Sequence, residues 1–205
     1  MKRSRRAAIV SRLRPVALVA AIAAVPFVAG CGLGGAPDQA DLGTNPAFVV
    51  RVLPTRPGLE IAGPETATGP GEFDRATLGT SVPALAASAR DGGLRAAATR
   101  RWTGPDGAGL VAVASLWDDN EPARSIGGQV AREAVPDGTP WTPSQYPGSQ
   151  GYRSATARAL NVVTGNTALL VIARGPVDDA AVLRTVELMQ KASNREDTQG
   201  AVDGG

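Results

Sequence analysis

Two different spacings of apolar residues alternate along positions 47–192 of the chain. Short runs of Val, Leu and Ile bounded by turn residues, such as LVAVASLW (110–117) and TALLVIAR (167–174), predict β-strands. Apolar residues three to four positions apart predict amphipathic helices over 121–134 and 177–192. The region is long enough to form one domain with its own apolar core.

Two units with the same order of elements follow one another, over 94–134 and 151–192. Each is read as a strand, a turn, a second strand and a helix, with the strand that opens the second unit running over 151–163. This order favours an α+β fold with an antiparallel four- to five-stranded sheet and helices packed on one face. An internal β-β-α repeat would explain the order, and coincidence is the alternative because strand-strand-helix is a common arrangement.

The segments beside these units have other patterns. The run AFVVRVL (47–53) predicts a strand, and residues 54–80, rich in Pro, Gly and Thr, predict a long loop. Residues 82–90 predict a short helix with Ser81 as its N-cap. The polar, Gly-containing segment 193–205 predicts a disordered tail.

The N-terminal pattern is of another kind. Basic residues and no acidic ones occupy positions 2–14, and the next apolar stretch, 16–29, carries no charge. Fourteen residues are fewer than the roughly 20 needed to cross a bilayer as a helix. A basic start followed by an apolar run of this length indicates a secretion signal.

The lone cysteine follows this run directly. The sequence Val28-Ala29-Gly30-Cys31 resembles the lipobox of bacterial lipoproteins. The resemblance implies a signal peptide over 1–30, a cut of the signal peptidase II type between Gly30 and Cys31, and acylation of Cys31 with palmitate-type chains. Residues 31–46 would then be a flexible tether, and the domain would be anchored on the extracytoplasmic face of the cell membrane.

Several alternatives stay open for this segment. The stretch SRRAAIV (4–10) resembles a twin-arginine export motif, so the chain would leave by that route or by the general secretory one. A lone cysteine can also be a buried core residue. The composition of the domain is similar to that of small uncharacterised lipoproteins of actinobacteria.

Removal of the signal changes the charge balance. Six of the 21 Lys and Arg residues lie before Cys31, and all 19 acidic residues lie after it, so the mature chain has a net charge of −4. This excess of acid gives no sign of the basic surface that a nucleic-acid partner needs. The absence of His excludes Ser-His and Cys-His catalytic arrangements.

Two acidic clusters remain as candidate chemistry: Asp118, Asp119 and Glu121, and Asp178 with Asp179. Both precede predicted helices, where carboxylates cap free N–H groups, so capping is the preferred interpretation over a metal site. A hydrolase that uses the carboxylates of the first cluster is the catalytic alternative. No cofactor and no metal ion is expected.

The long segment 136–151 between the two units contains Trp141 and Tyr146 and is the candidate binding loop, unless Trp141 folds back onto the core. The sequence therefore predicts a non-catalytic extracytoplasmic lipoprotein that binds an envelope protein. A carrier of a lipid or another apolar ligand is the alternative, and it requires a large aliphatic cavity between sheet and helices.

Overall fold

The computed structural model describes residues 46–54, 60–61 and 66–202, with side chains described for 47–54 and 69–195. The predicted signal peptide, the lipobox with Cys31 and the tether up to residue 45 lie outside the described residues. Along the chain the elements are α1 (Pro46–Val52), β1 (Glu60–Ile61), β2 (Thr66–Thr68), α2 (Phe73–Leu78), α3 (Pro83–Asp91), β3 (Leu94–Thr103), β4 (Gly109–Trp117), α4 (Asn120–Ala134), β5 (Thr139–Pro140), β6 (Gln150–Arg153), β7 (Ala157–Thr164), β8 (Thr167–Arg174) and α5 (Asp179–Val202).

One antiparallel sheet forms the centre of the domain. Its strand order is β1-β3-β4-β8-β7-β6-β5, and β2 also pairs with β3. The predicted α+β class is confirmed. The sheet has eight strands in the described part, more than the four to five predicted, and five of them have four or more residues. The other three have only two or three residues, too few to show a pattern in the sequence.

Helices cover both faces of the sheet, so the prediction that they pack on one face is wrong. Apolar residues of α1 and α5 pack on one face, and those of α2, α3 and α4 pack on the other. Along β8, Leu169 and Val171 face the first group, while Leu170 and Ile172 face the second. A strand buried on both sides is apolar throughout, as TALLVIAR is, and this continuous run signals two covered faces.

The two strand-strand-helix units are present as predicted, but they are not symmetric copies. Strands β4 and β8 are neighbours at the centre of the sheet and run antiparallel. Only a two-fold axis perpendicular to the sheet can exchange two units whose neighbouring strands run antiparallel. Such an axis would place α4 and α5 on the same face of the sheet. They lie on opposite faces, so the shared order of elements does not reflect a rotational repeat.

The segment 47–53 is helical, so its prediction as a strand is wrong. Phe48, Val49, Val52 and Leu53 are buried against the α5 face of the sheet. This spacing places the four side chains on one side of a helix, whereas a strand would point Val49 and Val52 in opposite directions. Burial of this face outweighs the strand preference of a Val-rich run.

Two further boundaries differ from the prediction. The single strand expected over 151–163 is a hairpin of β6 and β7, because the backbone turns at Ser154, whose hydroxyl oxygen accepts the N–H of Ala157 at 3.1 Å. Helix α5 continues through Val202, so the tail predicted as disordered from Ser193 is helical over its first ten residues. Ser193 is 1% exposed and belongs to the packed part of the domain.

Candidate functional site

An open groove lies between α5 and the loop that joins β5 to β6. Its volume is about 800 Å³, within the range of roughly 300–1,000 Å³ that is usual for ligand sites. We name it the Tyr146 groove. Its walls include Gln145, Tyr146, Leu183, Arg184, Glu187 and Gln190.

The loop side of the groove is held in place by the core and by backbone hydrogen bonds. Trp141 is 8% exposed and packs in the cluster that also contains α1 and α5 residues. The backbone N–H of Trp141 donates to the carbonyl of Gly151 at 2.8 Å, which joins the start of the loop to β6. Within the loop, the N–H of Tyr146 donates to the carbonyl of Pro143 at 2.9 Å. Trp141 therefore serves the core and leaves Tyr146 as the aromatic side chain at the groove.

Tyr146 is half-buried, with its ring against the core and part of its surface facing the groove. Burial raises the pKa of its phenol, and the negative charge of Glu187 raises it further, while Lys191 acts in the opposite direction. The phenol therefore stays protonated at neutral pH and can donate a hydrogen bond to a ligand.

The helix side of the groove carries both signs of charge. Lys191 donates to Glu187 one turn earlier at 2.6 Å, and this hydrogen bond lowers the pKa of Glu187. Arg184 is exposed on the same wall, and Asp178 lies at the end of the groove, where its carboxylate accepts the N–H of Ala181 at 2.7 Å. A wall with donors, acceptors and both charges suits a polar peptide or another zwitterionic surface better than an apolar ligand.

In the first acidic cluster, one carboxylate caps the following helix, as predicted. Asp119 is the N-cap of α4, and its carboxylate accepts the N–H groups of Asn120 at 2.6 Å and Glu121 at 3.4 Å. Asp118 is paired with Arg95 on β3. The two carboxylates are thus bound to different protein groups on an exposed helix start and do not converge in a cleft.

In the second cluster, too, the two carboxylates have different partners. Asp178 caps α5, whereas Asp179 forms ion pairs with Arg153 on β6, at 3.2 Å, and with Arg158 on β7. Within the ranges that the structure describes, no group of three or more Cys, Asp or Glu side chains is placed to hold a metal ion.

The α5 wall of the groove was not identified from the sequence, although a signal for it exists. Ala180, Leu183, Arg184 and Glu187 are three to four residues apart, which places them on one face of a helix. This face lies beside the buried face of Val182, Val186 and Met189, which the sequence did indicate. What the sequence could not show is that the loop of Tyr146 lies against this face, because the loop is separated from α5 by three strands.

Among the described residues, no helix combines the length and the apolar character that crossing a membrane requires. The sequence matches no protein-family profile and no curated protein sequence. Among solved structures, the extracellular domain of PknH from Mycobacterium tuberculosis is similar at 14% identity, covering 76% of this chain and 94% of that one, with a TM-score of 0.39. At this TM-score the similarity carries no argument about function.

Proposed function

We propose that this chain is a lipid-anchored protein of the extracytoplasmic membrane face whose α+β domain binds an envelope protein without catalysing a reaction. The Tyr146 groove supports the binding role, because it has the volume of a ligand site and walls of mixed charge. The location rests on the lipobox-like sequence that ends at Cys31.

The proposed tether would keep the domain near the membrane. Fourteen residues lie between Cys31 and Pro46, the first residue of α1. A flexible tether of this length has a root-mean-square span of about 20 Å. The domain would therefore work close to the lipid surface and meet proteins that are anchored there or extend from the bilayer.

The two alternatives have less support. A lipid carrier needs a large aliphatic cavity. The cavity lined by Leu78, Val111 and Ile172 holds about 200 Å³, room for only about seven water-sized groups, and the larger space of about 460 Å³ beside Leu53 and Leu188 is also lined by three arginines. A carboxylate hydrolase needs Asp118 and Asp119 in one cleft, and each is engaged with a separate group on exposed surface.

Photo-crosslinking in intact cells tests the proposal with a matched pair of positions. A photoreactive residue replaces Gln145 at the groove in one strain and Gln129, exposed on α4 across the sheet, in the other. We expect one defined envelope protein to be crosslinked from position 145 and not from 129. Arg184→Glu should weaken that adduct, since it reverses a charge in the groove wall. Equal adducts at both positions, or an adduct unaffected by Arg184→Glu, would contradict the proposal.

A further inference from the structure

A second cavity lies on the opposite face of the sheet from the Tyr146 groove, where β3, β4 and β8 meet α2. Its volume is about 200 Å³, and its apolar walls come from Leu78, Val111 and Ile172. Two arginines, Arg101 and Arg174, line the same cavity. We call it the arginine cavity.

The strand register explains why this space is open. Gly109 on β4 lies opposite Thr103 on β3 and Arg174 on β8, and it has no side chain to fill the row between them. A Cβ atom built on Gly109 would meet nothing within 4 Å. The next row on the same face consists of Arg101, Val111 and Ile172, so the two arginines lie on one face, one row apart, on the strands that flank β4.

The described residues that line the cavity include two arginines and no carboxylate. Within the described ranges, neither Arg101 nor Arg174 forms an ion pair. Arg101 donates to the carbonyl of Ala76 at the end of α2, which holds its half-buried side chain at the cavity wall. Burial lowers the pKa of Arg101, and the positive charge of Arg174 lowers it further, so an anion placed between them would relieve a repulsion.

A buried hydroxyl in the wall of the cavity lacks a hydrogen-bond partner among the described residues. Thr77 is 1% exposed, and its hydroxyl has no hydrogen-bond partner in the described part of the chain. It lines the arginine cavity together with the two arginines. Buried hydroxyls are normally hydrogen-bonded, and a bound ligand or water would satisfy this one.

We propose that the arginine cavity binds a small carboxylate with a short aliphatic chain. Its carboxylate lies between Arg101 and Arg174, and its chain lies against Val111 and Ile172. At about 30 Å³ for each water-sized group, the space holds about seven non-hydrogen atoms, the size of a five-carbon acid. A free metabolite or the C-terminal residue of a peptide could supply this chemistry. The site is separate from the Tyr146 groove, so its failure would leave the proposed partner binding untouched.

Calorimetric titration of the full chain in detergent tests the assignment, with valerate and 1-pentanol as probes. We expect saturable binding of valerate and at least tenfold weaker binding of pentanol, since charge-assisted hydrogen bonds to the carboxylate would be lost. An acetylated tripeptide ending in leucine is the third probe. Tighter binding of this peptide than of valerate would assign the site to chain termini, and the reverse would assign it to free acids.

Three variants complete the test. Arg174→Gln, at an exposed position, and Gly109→Val, which fills open space, should each weaken valerate binding about tenfold or more. Arg101→Gln should do the same, and its thermal melt separates lost binding from lost stability, because Arg101 also bonds to α2. The control is Arg124→Gln, an exposed arginine on α4 that does not line the cavity. Absence of saturable valerate binding, equal binding of pentanol, or unchanged binding in Arg174→Gln would overturn the proposal.

Discussion

The carboxylate of Asp74, in the first turn of α2, accepts a hydrogen bond from the backbone N–H of Val82, the N-cap residue of α3. Ser81, predicted to cap α3, instead donates its hydroxyl to the same carboxylate at 3.4 Å. Asp74 is 2% exposed. One buried acidic side chain therefore fixes the angle between two short helices that cover the sheet.

Replacement of Asp74 should make stability depend differently on pH. Burial alone would raise the pKa of Asp74, but the hydrogen bonds it accepts, that from Val82 first among them, together lower its pKa. A lowered pKa in the folded state stabilises the fold above the unfolded pKa of about 3.9, and this contribution is lost as pH falls through the folded value. Asp74→Asn should cost about 1–3 kcal/mol at pH 7.

Urea unfolding at a series of pH values checks this prediction. The difference in unfolding free energy between the wild type and Asp74→Asn should shrink as the pH falls below about 4. Asp137→Asn, at an exposed position before β5, is the matched control and should change little. A difference that stays constant from neutral to acidic pH would show that the charge of Asp74 is not what stabilises the contact.

Glycine at position 127 should resist replacement although it lies within a helix. A Cβ atom on Gly127 of α4 would overlap the amide of Asn161 on β7. Replacing Gly by Ala at an exposed helix position raises the free energy of unfolding by up to about 1 kcal/mol. At position 127 the overlap should instead lower the free energy of unfolding, by about 1–3 kcal/mol. Chemical denaturation measures it, with Gln129→Ala on the exposed face as control.

A double variant isolates the cause. Gly127→Ala combined with Asn161→Ala should be less destabilised than the sum of the single variants, because the smaller side chain on β7 leaves room for the added methyl group. Strict additivity would place the cost of Gly127→Ala elsewhere than in this contact.

The helical conformation of α1 and a strand over the same residues predict different effects of two Val→Ala substitutions. Val49 and Val52 are both fully buried, so Val49→Ala and Val52→Ala should each cost about 1–3 kcal/mol in unfolding free energy. In a strand, residues 49 and 52 would point to opposite faces, and one of the two substitutions would be nearly neutral. Chemical denaturation of the two variants measures these costs.

The phenol of Tyr146 should titrate at higher pH than an ordinary tyrosine. Ultraviolet absorbance titration of Tyr152→Phe, which leaves Tyr146 as the remaining tyrosine, measures this pKa directly. Glu187→Gln should move the pKa of Tyr146 back toward its usual value, because it removes a negative charge and leaves Lys191 unpaired beside the ring. No change in Glu187→Gln would show that the groove wall does not act on Tyr146.

The same titration has a consequence for stability. A pKa raised by folding means that the folded state keeps its proton longer than the unfolded state does. Stability should therefore fall as pH rises above about 10, where the unfolded phenol ionises, and Tyr146→Phe should reduce this alkaline loss.

The anchor proposal predicts the fate of a Cys31→Ser chain. Without the thiol there is no thioether to form, so the variant should stay at precursor mass and take up no labelled fatty acid. Mass spectrometry of cell-derived protein and metabolic labelling measure both properties. A variant that is still cleaved and labelled would refute lipidation at Cys31.

The sequence predicted the fold best for elements in which many consecutive residues are buried. Strands β4 and β8 were predicted within one residue because each is an apolar run between turn residues. The same runs also contained the evidence for helices on both faces, since β8 has seven consecutive buried residues. The prediction of α1 failed because a seven-residue segment rich in Val has a strand-like composition, and only its burial spacing, which needs the tertiary structure, is helical.

The sites were less accessible from sequence for a related reason. Tyr146 could be proposed from its place in a long loop, but its neighbours on α5 come from a distant part of the chain. Arg101 and Arg174 carry no local motif at all. They line one cavity because the register of three strands places Arg174 beside Gly109 and Arg101 beside Val111 on the same face, and register is a property of the whole sheet.

Helix α1 lies against α5, so the first and last helices of the domain are neighbours on one face of the sheet. If the chain is tethered through its N-terminus, tension on that tether acts on α1 before it reaches any strand. Detachment of α1 would break side-chain packing but no ladder of strand hydrogen bonds. Under load, the packing of α1 would therefore give way first and the sheet would stay intact.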